Sequence, residues 1–228
     1  PLLSGSVRFI LDDRVLAQRP IGNVDGTGYA GYSETIPLVD RWCPLGLGPR
    51  PMHTIHAAII DEHGRIVDRV SKRTGFRSIE MVQAPDSIGA PFIFQVNGRD
   101  LFVKGCNVVP PSLLLAEVGD SAWVALVRNM RTAQMNMARI WAGGVYPPEA
   151  FFDACDTAGI LVWQDFMIGN MLPASMDFLS YVLGDEVDEQ VGRMRHHPSV
   201  VILCGDNELD VAWENWGWQQ RYQHGPYT

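Results

Sequence analysis

The chain has 228 residues, of which 46% are hydrophobic, and this fits one or two globular domains with buried cores. Its formal net charge is −8, with 18 Lys and Arg against 26 Asp and Glu, so no basic surface is expected to attract nucleic acid. No apolar run approaches the roughly 20 residues that cross a bilayer, and the first residues lack the basic and apolar segments of a signal peptide. The default expectation is a cytoplasmic protein with neither a membrane nor a nucleic-acid partner.

Three features that suggest cofactors or metals have simpler interpretations. The four cysteines, Cys43, Cys106, Cys155 and Cys204, are far apart and form no CxxC pair, so we expect them to be reduced. Residues 26–31 match GxGxxG, but no apolar strand precedes them and Pro37 interrupts any following helix, which argues against a dinucleotide site. Histidines 53, 56 and 63 fall on a strand pattern and in a turn, which is typical of surface residues. The sequence therefore predicts no cofactor and no metal.

Residues 1–80 have the pattern of a β-sandwich domain of the immunoglobulin type. Residues 52–60 alternate in polarity toward a turn at 61–64, and a second run resumes at 65–70, which predicts a hairpin. Short strands separated by Gly, Pro and Asp are typical of this fold class. The sequence opens inside this region without a clear first strand, so an incomplete N-terminal module is one interpretation.

Residues 81–228 change to alternating strands and helices. Asn97-Gly98 predicts a hairpin between runs at 92–96 and 101–105. Four strand runs are predicted, at 101–106, 136–141, 160–165 and 199–205. Helical patterns separate them, at 121–133, at 148–159 and at 178–196. Pro148 is predicted as the first residue of the second helix, and the histidine pair at 196–197 as the end of the third. This cadence predicts a parallel sheet, and the roughly 250 residues of a (β/α)8 barrel mean that about its first half is present.

Polar and aromatic residues follow each predicted parallel strand, where barrels place their functional groups. They include Arg139, Trp141, Asp165, Asn207 and Glu208. Carboxylates can transfer protons, amides and guanidinium groups can bind hydroxyls, and tryptophan faces can cover a sugar ring. Taken alone, Glu208 would more often be a surface or capping carboxylate, and core packing is the alternative for the tryptophans and Asp165.

A longer and ordered set of motifs makes the interpretation specific. The motifs are residues 136–146 (NMARIWAGGVY), 151–156 (FFDACD), 159–167 (GILVWQDFM), 195–200 (RHHPSV), 204–208 (CGDNE) and 75–77 (GFR). Together they resemble the β-mannosidase branch of glycoside hydrolase family 2. Ala142 departs from the family pattern, as do Asp206 and Leu209. The stretch from Asp165 to Pro173, which would line one wall of the site, also departs from it after Met167.

The resemblance implies a retaining glycosidase that removes terminal β-D-mannose from an oligosaccharide or glycoside. It implies that Glu208 is the general acid/base, that Asn207 binds the sugar 2-hydroxyl, and that the nucleophile lies outside this chain. Trp141 and Trp216 would shape the mannosyl pocket, Arg139 would lie under the nucleophile, and Asp165 would also contribute to the site. Because a retaining mechanism needs two carboxylates, the isolated chain is expected to be inactive.

Two alternatives stay open. The chain could be a non-catalytic carbohydrate-binding fragment, since it lacks the second carboxylate. It could also belong to a β-galactosidase or β-glucuronidase of the same family. The sequence does not indicate the oligomeric state.

Overall fold

The computed structural model of the chain describes residues 5–24, 26–169 and 178–222. The chain divides into two compact units. The first contains the residues up to Trp42 together with Pro51–Phe76, and the second contains Cys43–Arg50 and the residues from Arg77 onward. The domain limits 1–80 and 81–228 stay predictions.

The first unit is built on an antiparallel sheet. Its strands are β1 (Gly5–Leu11), β2 (Arg14–Pro20), β5 (His53–Asp61) and β6 (Ile66–Thr74), in the order β2-β1-β5-β6, and β3 (Gly22–Val24) pairs separately with β4 (Thr27–Tyr29). The predicted hairpin at 61–64 is confirmed as the β5-β6 turn, in which Asp61 Oδ1 accepts the N–H groups of His63 and Arg65. An immunoglobulin-like sandwich would require a second sheet packed on this one, and it stays a prediction.

The second unit begins with a three-stranded antiparallel sheet, β7 (Ile79–Val82), β8 (Ile93–Val96) and β9 (Arg99–Leu101). The predicted turn at Asn97-Gly98 is confirmed. Both residues have positive φ, 54° and 75°, which is the conformation that a two-residue hairpin of type I′ requires.

A four-stranded parallel sheet follows, with the strands side by side in chain order, as the sequence predicted. The strands are β10 (Gly105–Val108), β11 (Met137–Ile140), β12 (Leu161–Asp165) and β13 (Val200–Cys204). The predicted start of the first strand at Leu101 was wrong, because the turn at Asn97-Gly98 directs residues 99–101 back along β8. Sequential parallel pairing is the pattern of a barrel, but closure of a complete barrel stays a prediction.

The helices between these strands are close to their predicted positions. They are α1 (Asp120–Thr132), α2 (Glu149–Ala158) and α3 (Gly184–Met194), with the short α4 (Leu209–Asn215) and α5 (Trp218–Arg221) after β13. A π-helical stretch at Phe178–Leu183 leads into α3, and Pro148 caps α2 instead of being its first residue. Within the described parts of the chain, no helix has both the length and the apolar character needed to cross a bilayer.

The core of the second unit lies between the parallel sheet and its helices. Buried aromatic side chains of α1 and α2, Trp123, Phe151 and Phe152, pack against the alternate strand residues Ala138, Ile140 and Val162. The residues between them in the strand, such as Arg139 and Trp163, must therefore project from the opposite face of the sheet, because successive side chains in a strand alternate. The core thus fixes which residues reach the face on which a barrel site forms.

Candidate active site

The strand register places the predicted polar residues in one row across the parallel sheet. Asn107 pairs with Arg139, and Arg139 pairs with Trp163. Two residues beyond Trp163 in β12, Asp165 pairs with Cys204 at the end of β13. Because all these strands run in the same direction, their carboxyl ends meet at one edge.

Arg139 is the centre of the site's hydrogen-bond network. Its guanidinium binds Asp165 in a bidentate manner, with Nε 3.2 Å from Oδ1 and Nη2 2.7 Å from Oδ2. Nη2 also donates to Asn207 Oδ1 at 2.7 Å. The guanidinium carbon lies 5.6 Å from the ring centre of Trp163, a distance that allows a cation–π contact. The side chain of Asp165 is fully buried, so Arg139 compensates its charge where water cannot.

Asn207 connects this network to Glu208. Since Oδ1 of Asn207 accepts from Arg139, its amide nitrogen Nδ2 is directed toward Glu208 and donates to Oε2 at 3.2 Å. The residue is buried, and its backbone N–H donates to the carbonyl of Ile168 at 2.9 Å. Asn207 is therefore held from both its side chain and its backbone, and it in turn positions the Glu208 carboxylate.

Glu208 has a left-handed backbone conformation, with φ of 62°. This conformation costs a non-glycine residue roughly 1–2 kcal/mol, and such strain is concentrated at functional sites. The start of α4 holds it in place, because the carbonyl of Glu208 accepts the N–H of Ala212 and Asp206 Oδ1 accepts the N–H of Leu209. The glutamate side chain is exposed at the end of the fourth parallel strand, where it can reach a ligand.

Three loops meet beside Asn207. A Cβ atom at Gly169 would lie 3.0 Å from the Cβ of Ala142 and 3.5 Å from that of Asn207. Gly169 also forms an isolated bridge with Asn207. Ala142, which departs from the family pattern, is therefore buried against a glycine that leaves room for its methyl group. Residues 170–173 of the predicted wall lie outside the described residues.

The two predicted pocket tryptophans have contacts of a different kind. The indole of Trp141 lies over Gly143, where an added Cβ would come within 2.1 Å of the ring. Trp216 is 50% exposed and packs edge-on against Trp218, with ring centres 6.4 Å apart. Neither contact reaches Glu208, so a common cleft for Trp141, Trp216 and Glu208 stays a prediction.

Two supporting residues of the site, Trp163 and Tyr146, do not stand out as site residues in the sequence. Trp163 was noted only as part of a strand end, although its position opposite Arg139 in the register makes it the stacking partner. Tyr146 was noted only as part of a motif, but its hydroxyl accepts the N–H of Met167 at 3.3 Å, which joins the loops after β11 and β12. Burial, together with a hydrogen bond to Glu186, raises the pKa of Tyr146 to about 12. Strand register could have identified Trp163, whereas nothing local in the sequence indicates the contact of Tyr146.

These contacts can support acid/base chemistry on a neutral ligand. One carboxylate is exposed, and the amide beside it is fixed by an arginine whose charge is balanced by a buried aspartate. Among the described residues, the groupings that could hold a metal ion are Glu149, His196 and His197, and Asp153, Asp156 and His197. Both groupings are distinct from the residues around Glu208.

Comparisons with known proteins agree with this interpretation. No family model matches the chain. Beta-mannosidase B of Aspergillus fumigatus is 35% identical over 200 residues, which cover 87% of this chain and 23% of that protein. Beta-mannosidase B of Thermothelomyces thermophilus is 36% identical over 184 residues, which cover 80% of this chain and 21% of that protein. The chain spans about a quarter of the length of these relatives.

Solved structures agree at the level of the fold. The crystal structure of a β-D-mannosidase from Dictyoglomus thermophilum superposes with a TM-score of 0.81 at 30% identity, covering 94% of this chain and 26% of that one. The β-glucuronidase of Parabacteroides merdae superposes with a TM-score of 0.69 at 17% identity, covering 90% of this chain and 24% of that one, and shows a shared fold only. The resemblance read from the sequence motifs is confirmed: the chain is a β-mannosidase-like segment of glycoside hydrolase family 2.

Proposed function

We propose that the protein containing this chain is a retaining glycoside hydrolase that removes terminal β-D-mannose from β-mannosides, with Glu208 as its general acid/base. The observation that carries the proposal is the position of Glu208 four residues after the end of the fourth parallel strand, beside an amide that Arg139 and Asp165 fix. The names of the relatives support mannose as the sugar. The cytoplasmic location and the oligomeric state stay open.

In the proposed mechanism, Glu208 first protonates the leaving oxygen and later removes a proton from the attacking water. A second carboxylate, supplied by a part of the protein outside this chain, attacks the anomeric carbon. In a retaining enzyme the two carboxyl groups lie about 5–5.5 Å apart, which is close enough for direct attack and excludes an intervening water. The chain contributes the acid/base half of this pair.

Asn207 would bind the sugar 2-hydroxyl through its amide nitrogen. Its oxygen already accepts from Arg139, and one amide hydrogen is directed at Glu208, so the second amide hydrogen is the group left for a ligand. A hydroxyl at C2 could accept this bond while remaining within reach of Glu208. Arg139 and Asp165 would then act through Asn207 as positioning residues.

The competing functions differ in measurable ways. A carbohydrate-binding fragment would bind mannosides without turnover, and a related β-galactosidase or β-glucuronidase would prefer another sugar. The test is kinetic assay of the purified full-length protein on the 4-nitrophenyl β-glycosides of mannose, galactose and glucuronic acid. We expect kcat/KM for the mannoside to exceed the other two by at least 100-fold.

The role of Glu208 is tested on an unactivated substrate such as a β-mannobioside. Because general acid catalysis contributes roughly 10²–10⁴-fold, Glu208→Gln should lower kcat by that range. Glu214→Gln is the matched control, because this exposed glutamate lies in α4 only six residues away. Equal rates for the two variants, or a preference for galactoside or glucuronide, would contradict the proposal.

A further inference from the structure

A cluster of histidine and carboxylate side chains lies between α2 and the turn that enters β13. His197 and Asp156 are buried, and His197 Nδ1 lies 2.7 Å from Asp156 Oδ2. The other oxygen of Asp156 accepts the backbone N–H of Ser199 at 3.0 Å. These contacts fix the orientation of the His197 ring and determine where its second nitrogen is directed.

The second nitrogen of His197 is directed at another carboxylate. His197 Nε2 and His196 Nε2 each lie 3.3 Å from the same oxygen, Oε1 of Glu149. Oε2 of Glu149 lies 3.5 Å from Arg193. The three potential ligand atoms are all within 4.8 Å of one another. Two imidazole nitrogens and one carboxylate oxygen therefore converge on one small volume.

A cation can be bound by this arrangement. With the N–H group of a neutral imidazole on Nδ1, facing Asp156, the lone pair of His197 Nε2 faces the Glu149 oxygen. A metal ion between these two atoms would bind both of them.

The distances fit a metal ion. His197 Nδ1 lies 2.7 Å from Asp156, and the two contacts with Glu149 Oε1 are 3.3 Å long. Zinc bonds of about 2.0–2.1 Å in a tetrahedral arrangement place neighbouring ligand atoms about 3.3 Å apart. Metal-bound histidines commonly donate their other N–H to a carboxylate, as His197 does to Asp156.

We propose that Glu149, His196 and His197 bind a divalent ion of the zinc class, with Asp156 orienting His197. The 40% exposure of the Glu149 side chain leaves a route for the ion and room for a water ligand. The second possible grouping, Asp153, Asp156 and His197, would need the Nδ1 atom that Asp156 already engages. The ion would tie the start of α2 to the turn before β13. Glu208 lies beyond the opposite end of β13, so the ion is a structural tie with no part in the chemistry.

The test uses the purified full-length protein, freed of metal with a chelator and titrated with Co²⁺, whose visible absorption reports tetrahedral nitrogen and oxygen coordination. Competition with Zn²⁺ gives the zinc affinity. We expect one Co²⁺ at this site, at least tenfold weaker binding in Glu149→Gln, and loss of this equivalent in His196→Ala. His63→Ala, which changes an exposed histidine in the β5-β6 turn, should bind like the unmodified protein.

Two results would overturn the proposal. One is the absence of a tetrahedral Co²⁺ spectrum in the unmodified protein. The other is equal binding by His196→Ala, Glu149→Gln and His63→Ala, which would place the ion elsewhere. Circular dichroism of each metal-free variant shows whether loss of binding is separate from loss of the fold, and Glu149→Gln keeps the size of the side chain if His196→Ala fails to fold.

Discussion

At the scale of single residues, Arg139 connects the fold to the proposed chemistry. It neutralises the buried carboxylate of Asp165 and fixes the oxygen of Asn207, so the amide of Asn207 has one possible orientation toward Glu208. Removing one partner of a buried ion pair typically costs about 3–5 kcal/mol, because the other charge is left uncompensated. A useful substitution at Arg139 must therefore keep the charge and change the geometry.

Arg139→Lys is such a substitution. A lysine ammonium is a point charge that cannot form the bidentate contact with Asp165 and also hold Asn207. We expect kcat/KM on 4-nitrophenyl β-mannoside to fall by roughly 10–100-fold, by analogy with the loss of outer contacts that orient the ligands of metal sites. Thermal unfolding measured in parallel shows that the protein is folded. Arg131→Lys, on the exposed face of α1, is the control, and equal activity of the two variants would remove Arg139 from the site.

At the scale of secondary-structure elements, the ends of helices and strands are determined by single contacts. Gly159 ends α2 with a left-handed conformation, φ of 76°, and a Cβ atom there would lie 2.7 Å from the backbone nitrogen of Leu45. Gly192 lies inside α3, where an added Cβ would meet nothing within 4 Å. The backbone at position 159 therefore requires glycine, whereas position 192 has room for an alanine side chain.

Alanine substitution should separate these two glycines. Gly159→Ala should destabilise the full-length protein by about 1–3 kcal/mol, because it combines an unfavourable φ with a backbone clash. Gly192→Ala should stabilise it by about 0.5–1 kcal/mol, because alanine loses less conformational freedom than glycine in a helix. Denaturant unfolding measures both changes. A stabilising effect of Gly159→Ala would show that α2 does not end as described.

The stability that Tyr146 gives to the loops beside the site depends on pH. The pKa of Tyr146 is raised to about 12 in the folded protein by burial. Since the folded pKa exceeds the ordinary value of about 10, the stability that Tyr146 provides is complete below pH 10 and is lost as the pH rises through 12.

Tyr146→Phe should therefore make unfolding less dependent on pH between 10 and 12, and should cost about 1–2 kcal/mol at neutral pH through the lost hydrogen bonds. Alkaline difference absorption should lose one tyrosinate step near pH 12 in this variant. Tyr29→Phe, which changes an exposed tyrosine of β4, is the control. A late step that persists in Tyr146→Phe would contradict the assignment.

Much of the secondary structure was predictable from local sequence, and the exceptions have physical causes. The turns at Asp61 to Gly64 and at Asn97-Gly98 depend on neighbouring residues, so the local sequence alone predicts them. The start of β10 was misplaced because Leu101 is apolar enough for either sheet, and pairing with β8 decides between them. The connection of Tyr146 to Met167 spans two loops, and sequence patterns carry no information about it.

At the scale of the whole molecule, the chain spans only part of the length of its relatives. It covers 23% of the A. fumigatus relative and 26% of the D. thermophilum β-mannosidase. The four parallel strands are in the order that begins a barrel, and Glu208 follows the fourth. Sequence motifs select Glu208 and Asn207 as candidates because their neighbours are characteristic, and the roles of both residues stay predictions.

The 228-residue chain alone should therefore have no β-mannosidase activity, because a retaining mechanism needs two carboxylates and this chain supplies one of the proposed pair. The measurement is release of nitrophenol from an aryl β-mannoside by the isolated chain and by the full-length protein at equal concentration. Turnover by the isolated chain that disappears in Glu208→Gln would mean that the second carboxylate lies within these residues.

The central claim, that Glu208 is the acid/base of a retaining β-mannosidase, is tested most directly by azide rescue of Glu208→Ala in the full-length protein. With 2,4-dinitrophenyl β-D-mannoside, the leaving group needs little acid assistance, so the glycosyl-enzyme should still form while its hydrolysis slows. Added azide should then restore turnover and give β-mannosyl azide as the product. An α-mannosyl azide product, or wild-type rates of this variant on unactivated mannosides, would contradict the account.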